Sequence, residues 1–231
     1  FYEDALRMLR AFRFSSKLGF EIENNTLNAI KKNAELIKFV SIERIVNEFK
    51  KLLAGKGNLR SLELLIDSKL NLYIPFFKEV NTVQDLSSYS FCQSLYILSD
   101  INDILFEKLK FLKLSNKEIK LIKQFDLINQ EFKNNTPIEL ILYKYNREDV
   151  KFVCDYFGYD NEKIIDKCIL TINSFDDIDI TSEEIINYIE KKPGPWIKTV
   201  VSILEKDILL HKLKNNKKDI LDFLSNLRDN I

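Results

Sequence analysis

Two stretches of the sequence hold residue types that could do chemistry. The first is FYEDALRMLRAFRF at residues 1–14, where Glu3, Asp4, Arg7, Arg10 and Arg13 are interleaved with Leu, Met and Phe. On a helix, Glu3 and Arg7 stand four apart and Asp4 and Arg7 three apart, so the three share one face, and Arg10 continues the stripe one turn later. In an arbitrary helix this is a solvated ion-pair face, worth about 0.2–0.5 kcal/mol per pair. The second stretch is Asp177-Ile178-Asp179, formally the D-x-D pair that holds two magnesium ions in polymerases. Carboxylates for that job project from a strand. Here they fall between helical segments in DDIDI (residues 176–180), which reads as an acidic linker.

Other chemistries are excluded by what the chain lacks. A single histidine, His211, cannot supply the several ligands of a His-Asp phosphohydrolase centre, and it reads as a surface residue at a helix end. Five scattered glycines make no phosphate-binding loop. Cys92, Cys154 and Cys168 are far apart, without C-x-x-C, and read as small hydrophobes in a reducing compartment. No apolar run approaches the roughly 20 residues of a membrane span, so a cytoplasmic protein without a membrane partner is expected. The chain carries 35 basic and 35 acidic residues, but residues 1–60 hold 12 Lys/Arg against 7 Asp/Glu. A polyanion would meet that net positive part first.

Few glycines and prolines with abundant Leu, Ile, Lys and Glu predict an all-α fold. Helices are expected over about 3–18 with Gly19 as its stop, 25–40, and 42–54 after Ser41. A fourth follows over NLRSLELLIDSKL, ended by NLYIPFF, then two or three less regular helices to residue 112. The aromatics of residues 73–96 read as core. Three capping boxes are predicted: Ser115 with Glu118, Thr136 with Glu139 behind Pro137, and Thr181 with Glu184. Between them, NREDVKFVCDYFGY and DNEKIIDKCILTINSF carry helical apolar spacing. KKPGPW breaks the chain before a long helix from Trp196 to about Leu213, and a last helix starts near Asn216. The Trp196 indole reads as a packing anchor.

The opening residues also carry a family resemblance. Glu3-Asp4-x-x-Arg7, the R-A-x-R-F string and the L-G-F turn, followed by SIERIVNEFKKLL, resemble the segment after the catalytic domain in bacterial class II tRNA nucleotidyltransferases (CCA-adding enzymes) and their poly(A) polymerase relatives. ITSEEIINYIEKKPGPWIKTVVSILEKDILLHKLKNNKKDILDFL resembles the C-terminal tail of CCA-adding enzymes that lack a phosphohydrolase domain. The two matches flank nearly the whole chain in the right order.

The resemblance implies an elongated array of helical subdomains: a neck at 1–57 for base reading and RNA binding, a body at 58–175, and a tRNA-binding tail at 176–231. It also implies a catalytic head before Phe1 that would hold Mg2+, with no cofactor in this chain and no activity without the head. Tryptophan aside, the roles fall on charged residues. Asp4 would accept from the exocyclic amino group that cytosine and adenine share, and Arg7 would donate to their unprotonated ring nitrogen. Guanine and uracil present the opposite pattern, so CTP and ATP are the implied substrates and tRNA the implied partner. Glu3 would orient Arg7. Arg10 and Arg13 would reach triphosphate or the tRNA acceptor end, or else pair with Glu43 or Glu48, while Arg44 and Glu48 would brace the first helix. Lys191, Lys192, Lys198, Lys212 and Lys214 would track tRNA phosphates. The alternatives are a poly(A) polymerase, an enzyme adding only CC or only A, and a non-catalytic helical interaction scaffold. Oligomeric state has no signature in the sequence.

Overall fold

The computed structural model describes residues 1–160 and 162–228. Every regular element among them is helical, as the composition requires. The chain forms two compact units, Phe1–Gln124 and Phe125–Ile231. Among the described residues no helix is long and apolar enough to cross a membrane.

In the first unit, α1 (Leu6–Leu18) buries Leu6, Met8, Leu9 and Phe12, spaced so that one side of the helix is fully apolar. It ends where expected, at Gly19 in the left-handed conformation (φ 72°), whose N–H donates to the Ser15 carbonyl at 2.8 Å. The chain continues through α2 (Asn24–Asn33), a 3-10 turn at Ala34–Phe39 and α3 (Ile42–Leu53) to α4 (Asn58–Asp67). The single helix expected over 25–40 is thus two pieces. Against the apolar side of α1 pack α3, through Ile45, Phe49 and Leu52, and α4, through Leu62 and Leu65.

Two short side chains set how closely these helices approach. Ser16 of α1 donates its hydroxyl to the Leu52 carbonyl at 2.6 Å and accepts the Gly57 N–H on its own carbonyl at 2.9 Å. The turn between α3 and α4, GKG, therefore lies on the α1 backbone. A Cβ on Gly55 would stand 2.1 Å from the Ser16 hydroxyl and 2.7 Å from its carbonyl carbon, so only glycine fits.

Beyond α4 the chain is irregular as far as α5 (Phe91–Ile101), and three asparagines satisfy its backbone. Asn58 donates to the Gly55 carbonyl and the Asp85 carboxylate and accepts from the Leu86 N–H. Asn71 donates to the Val80 carbonyl at 3.0 Å. Asn102 accepts from the N–H groups of Asn81 and Thr82 and returns a bond to the Thr82 carbonyl. Of the aromatics expected as core here, Phe76, Phe77 and Tyr96 are buried, while Tyr73, Tyr89 and Phe91 stay half-buried. The stretch INDILFEKLKFL forms only a 3-10 turn, Phe106–Leu112.

The next helix, α6 (Asn116–Lys133), begins in the first unit and ends in the second. The predicted box at its start is present: the Glu118 N–H donates to the Ser115 hydroxyl and the Ser115 N–H to the Glu118 carboxylate. The second unit adds α7 (Ile138–Lys144), α8 (Arg147–Phe157), α9 (Glu162–Lys167), α10 (Ser182–Ile189), α11 (Trp196–Leu209) and α12 (Lys217–Arg228). Ile185, Ile189, Val200, Leu204, Ile208, Ile220 and Leu224 form one apolar cluster that joins the last three helices.

Several expectations are corrected in this unit. No box forms at Thr136, because Pro137 sits before the helix in an extended conformation (ψ 140°) and the Thr136 hydroxyl turns to Glu131 at 2.8 Å. The box at Thr181 with Glu184 does form. DDIDI is not a linker: Ile178 and Ile180 are buried in the apolar cluster. Its acids accept backbone N–H groups, Asp177 that of Asn173 at 2.7 Å and Asp179 that of Lys217, at the start of α12, at 2.9 Å. In the helix expected over 160–175, Asn161 lies outside the described residues, and α9 stops at Lys167. The Arg147 guanidinium takes the carbonyls of Ile165 and Cys168 there, so the last turn is satisfied without further helix. The long helix from Trp196 ends at Leu209, and residues 229–231 of the expected tail lie outside the described residues.

Gly55→Ala is expected to lower unfolding free energy by roughly 1–3 kcal/mol through overpacking. Gly19→Ala, facing open space but at positive φ, should cost about 1–2 kcal/mol from backbone strain alone. Urea titration of the two variants measures both. A pH dependence also follows from paired carboxylates. The Lys50 ammonium beside Glu118 and the Lys144 ammonium beside Glu131 hold both carboxyls below their ordinary range. A depressed folded-state pKa stabilises above the unfolded value and is lost as pH falls through the folded one. Thermal unfolding midpoints should therefore fall below about pH 4.5, and Lys50→Gln should flatten that fall.

Candidate functional site

The charge stripe of residues 1–14 is assembled around a carboxylate from α3. Glu48 lies on the buried side of α3, its side chain only 6% exposed, beside Ile45, Phe49 and Leu52. Its two oxygens meet two arginines of α1, Arg13 Nε at 3.1 Å and Arg10 Nε at 3.7 Å. The Arg13 contact lies off the N–H axis, so its attraction is coulombic more than directional. Arg13 also covers the Phe14 ring at 4.0 Å, which keeps its guanidinium from solvent on one side.

The network continues outward. Arg10 Nη1 reaches Asp4 Oδ2 at 4.0 Å, and Arg44 Nη2, one helical turn before Glu48, reaches Asp4 Oδ1 at 3.5 Å. Asp4 precedes α1, which starts later than the spacing predicts, and accepts the Leu6 N–H on its carboxylate at 3.2 Å. That bond satisfies a donor of the first helical turn. Arg44, Asp4, Arg10, Glu48 and Arg13 thus form one chain of alternating charge from solvent into the core. Of the two partners open to Arg10 and Arg13, Glu48 is the one used, while Glu43 pairs with Lys113 at 2.8 Å. That ammonium holds the Glu43 carboxyl below its ordinary range.

Arg7 stands outside this chain. Among the described residues its one ion pair is with Glu3, 3.7 Å away, and both side chains are largely in solvent. Asp4, just before α1, and Arg7, in its first turn, therefore present an acceptor and a donor fork at the start of a helix whose other side is buried. A carboxylate offers about four acceptor positions and a guanidinium five N–H donors. The intramolecular contacts leave part of each unused.

The lysines expected at the other end of the chain are all exposed. Lys191 and Lys192 precede α11, Lys198 lies in its first turn, and Lys212 and Lys214 follow its end. The helix has fourteen residues and runs roughly 21 Å along its axis, with one group at each end. They are two sites at opposite ends of α11, not one cluster. The Trp196 indole donates to the Lys192 carbonyl at 2.8 Å and packs against the apolar cluster of the second unit, the anchoring role expected of it.

The remaining candidates are structural. His211 is exposed at φ 56° on the rim of an open depression with Glu139 and Cys168. Among the described residues no three His, Cys, Asp or Glu side chains are grouped as a metal site. Cys92 and Cys154 are buried and in no disulfide, with Cys154 pushed up to about 12 by burial, and Cys168 is half-buried.

Sequence reasoning missed one feature, an aromatic and lysine-rimmed cavity in the first unit where Tyr73, Phe76 and Phe111 meet Lys38 and Lys78. Phe111 lies 38 residues beyond Tyr73, and no periodicity links them.

Comparison with known proteins bears on the whole chain. Residues 19–81 match the family model described as "Probable RNA and SrmB- binding site of polymerase A", and residues 90–224 the one described as "tRNA nucleotidyltransferase domain 2 putative". The CCA-adding enzyme of Staphylococcus haemolyticus is 33% identical over 244 residues and that of Staphylococcus epidermidis 28% over 246, each match covering 97% of this chain. This chain spans 61% of the length of those relatives. The crystal structure of the Bacillus stearothermophilus CCA-adding enzyme in complex with CTP superposes with a TM-score of 0.85 at 25% identity, over 100% of this chain and 63% of that one.

Glu48→Gln is expected to destabilise the first unit by roughly 1–3 kcal/mol, less than a fully buried pair because Arg10 is partly solvated. Glu3→Gln should stay within about 0.5 kcal/mol. Thermal unfolding of the two variants makes the comparison.

Proposed function

Because this chain belongs to the tRNA nucleotidyltransferase family, we propose that it is the base-selecting and tRNA-gripping part of an enzyme that adds CCA to tRNA 3′ ends from CTP and ATP. The observation that carries the reading is the solvent edge of α1. Asp4 is held by Arg44 and Arg10 and fixed on the Leu6 N–H, and the open fork of Arg7 is steadied by Glu3.

Such an edge suits the bases it would select. Cytosine and adenine each place an amino donor beside an unprotonated ring nitrogen. Asp4 accepts from the first and Arg7 donates to the second. Guanine and uracil put a carbonyl against the carboxylate and an N–H against the guanidinium, so both contacts become repulsive. A polar site that leaves groups unpaired with the wrong partner discriminates by up to about 10⁴–10⁵. Precision of this kind needs a fixed carboxylate, which is the work of Arg44 and Arg10, with Glu48 fixing Arg10 from below.

Nucleotidyl transfer itself, with its Mg2+, belongs in this reading to a catalytic head outside this chain, and the chain alone is inactive. In this reading the neck is 1–57, the body 58–175 and the tail 176–231. Lys191, Lys192 and Lys198 at one end of α11 and Lys212 and Lys214 at the other fit two separated stretches of tRNA backbone. The cytoplasm is the expected location.

The test is made in the full-length protein with tRNA lacking its 3′ end. Asp4→Ala and Arg7→Ala should erase the preference for CTP and ATP over GTP and UTP while the protein stays folded. Unchanged preference would remove the base-reading role. Replacing Lys192 or Lys212 by Ala should reduce the salt slope of tRNA binding by about 0.9 each, and a slope that stays put would remove that lysine from the interface.

A further inference from the structure

The first unit has a second surface, separate from the charged edge of α1. A cavity of about 250 Å³ is lined by Lys38, Tyr73, Phe76, Lys78, Glu79 and Phe111, together with Leu72 and Pro75. Its walls are aromatic, and its rim carries two lysines and one carboxylate, Glu79, which Lys108 pairs at 3.2 Å. Lys38 Nζ lies 4.8 Å from the Tyr73 ring centroid, and Lys110 Nζ lies 5.2 Å from that of Phe111, both within cation–π reach. Phe111 keeps 46% of its surface in solvent and Leu72, also in the lining, 51%, so the cavity wall is open to a ligand.

Two further observations mark the cavity as a built site. Phe76 on its floor is buried yet held at φ 70°, ψ −58°, a backbone region that a bulky side chain occupies only when its surroundings force it. Pro75 precedes it, and its ring stands edge-on to that of Phe77 with centroids 5.2 Å apart. The charge on the rim is also unspent. Lys38 is paired with Glu35 and Lys108 with Glu79, but among the described residues Lys78 and Lys110 have no carboxylate within ion-pair distance.

We propose that this cavity holds one unpaired nucleotide of a bound RNA, its base stacked on Phe111 and Tyr73 and its flanking phosphates on Lys78 and Lys110. The proposal rests on the reading above that RNA is a partner. The cavity is smaller than the 300–1,000 Å³ typical of ligand pockets, which suits a single ring system and not a helix or strand of another protein. Aromatic faces beside unpaired cations match a base and its phosphates together. An apolar peptide would cover the rings and strand the lysines.

Fluorescence anisotropy of the full chain tests this, with a labelled RNA stem-loop carrying an unpaired 3′ overhang and the same stem-loop blunt-ended. Phe111→Ala should weaken overhang binding roughly 5–100-fold and leave blunt-end binding unchanged, and Phe111→Trp should restore it. Tyr73→Ala should act in the same direction. An overhang affinity untouched by Phe111→Ala, or an equal loss for both RNAs, overturns the site. If the unmutated protein binds neither RNA, the RNA-binding reading falls and this site with it. If it binds both and Phe111→Ala changes neither, the cavity assignment alone falls.

Discussion

Glu48 is the interaction on which the first unit depends. It is a carboxylate almost without solvent, among the apolar residues of α3, and such a group is stable only when opposite charge reaches it. Arg10 and Arg13 meet that need, and in doing so they fix the rotation of α1 about its axis. Leu6, Leu9 and Phe12 must then face α3 and α4, and Arg7 must face solvent. The charge stripe and the apolar stripe of α1 are therefore not independent patterns. One carboxylate sets the orientation of both.

Ser16 and the GKG turn set the remaining coordinate, the depth at which α1 sits. Electrostatic attraction tolerates several tenths of an ångström, but contact between backbones does not. With no side chain at Gly55, the α3–α4 turn rests directly on the α1 backbone. Rotation and depth together hold Asp4 within reach of Arg44, which lies one turn before Glu48 on the same helix. The outer edge thus inherits its geometry from contacts in the interior.

Much of this was legible in residue order, and the failures have physical causes. Ser115 with Glu118 and Thr181 with Glu184 close their boxes because nothing nearby competes for the hydroxyls. Thr136 has the same spacing, but Glu131 stands within reach one turn upstream and Pro137 turns the backbone away. DDIDI looked like a linker on charge, while the alternation that buries Ile178 and Ile180 carried the information. At the edge itself, Asp4, Arg7 and Glu3 could be picked out by type and spacing. The choice of Glu48 over Glu43 could not be made from spacing alone. Five residues turn the helix by about 140° relative to the core, and Glu43's partner, Lys113, is 70 positions downstream. The cavity around Phe111 was illegible for the same reason, since its walls come from three distant segments.

The Glu48 contact also has a consequence in time. Arg13 is translated 35 residues ahead of Glu48, and at about 5–20 residues per second that is a delay of roughly 2–7 seconds. A lone helix of this length is marginal in water. Throughout that interval Leu6, Leu9 and Phe12 have neither α3 nor α4 to cover them, and the guanidiniums of Arg10 and Arg13 have no buried carboxylate to anchor them. The nascent chain thus exposes a cationic, apolar segment until residues 45–65 emerge and draw it into the fold.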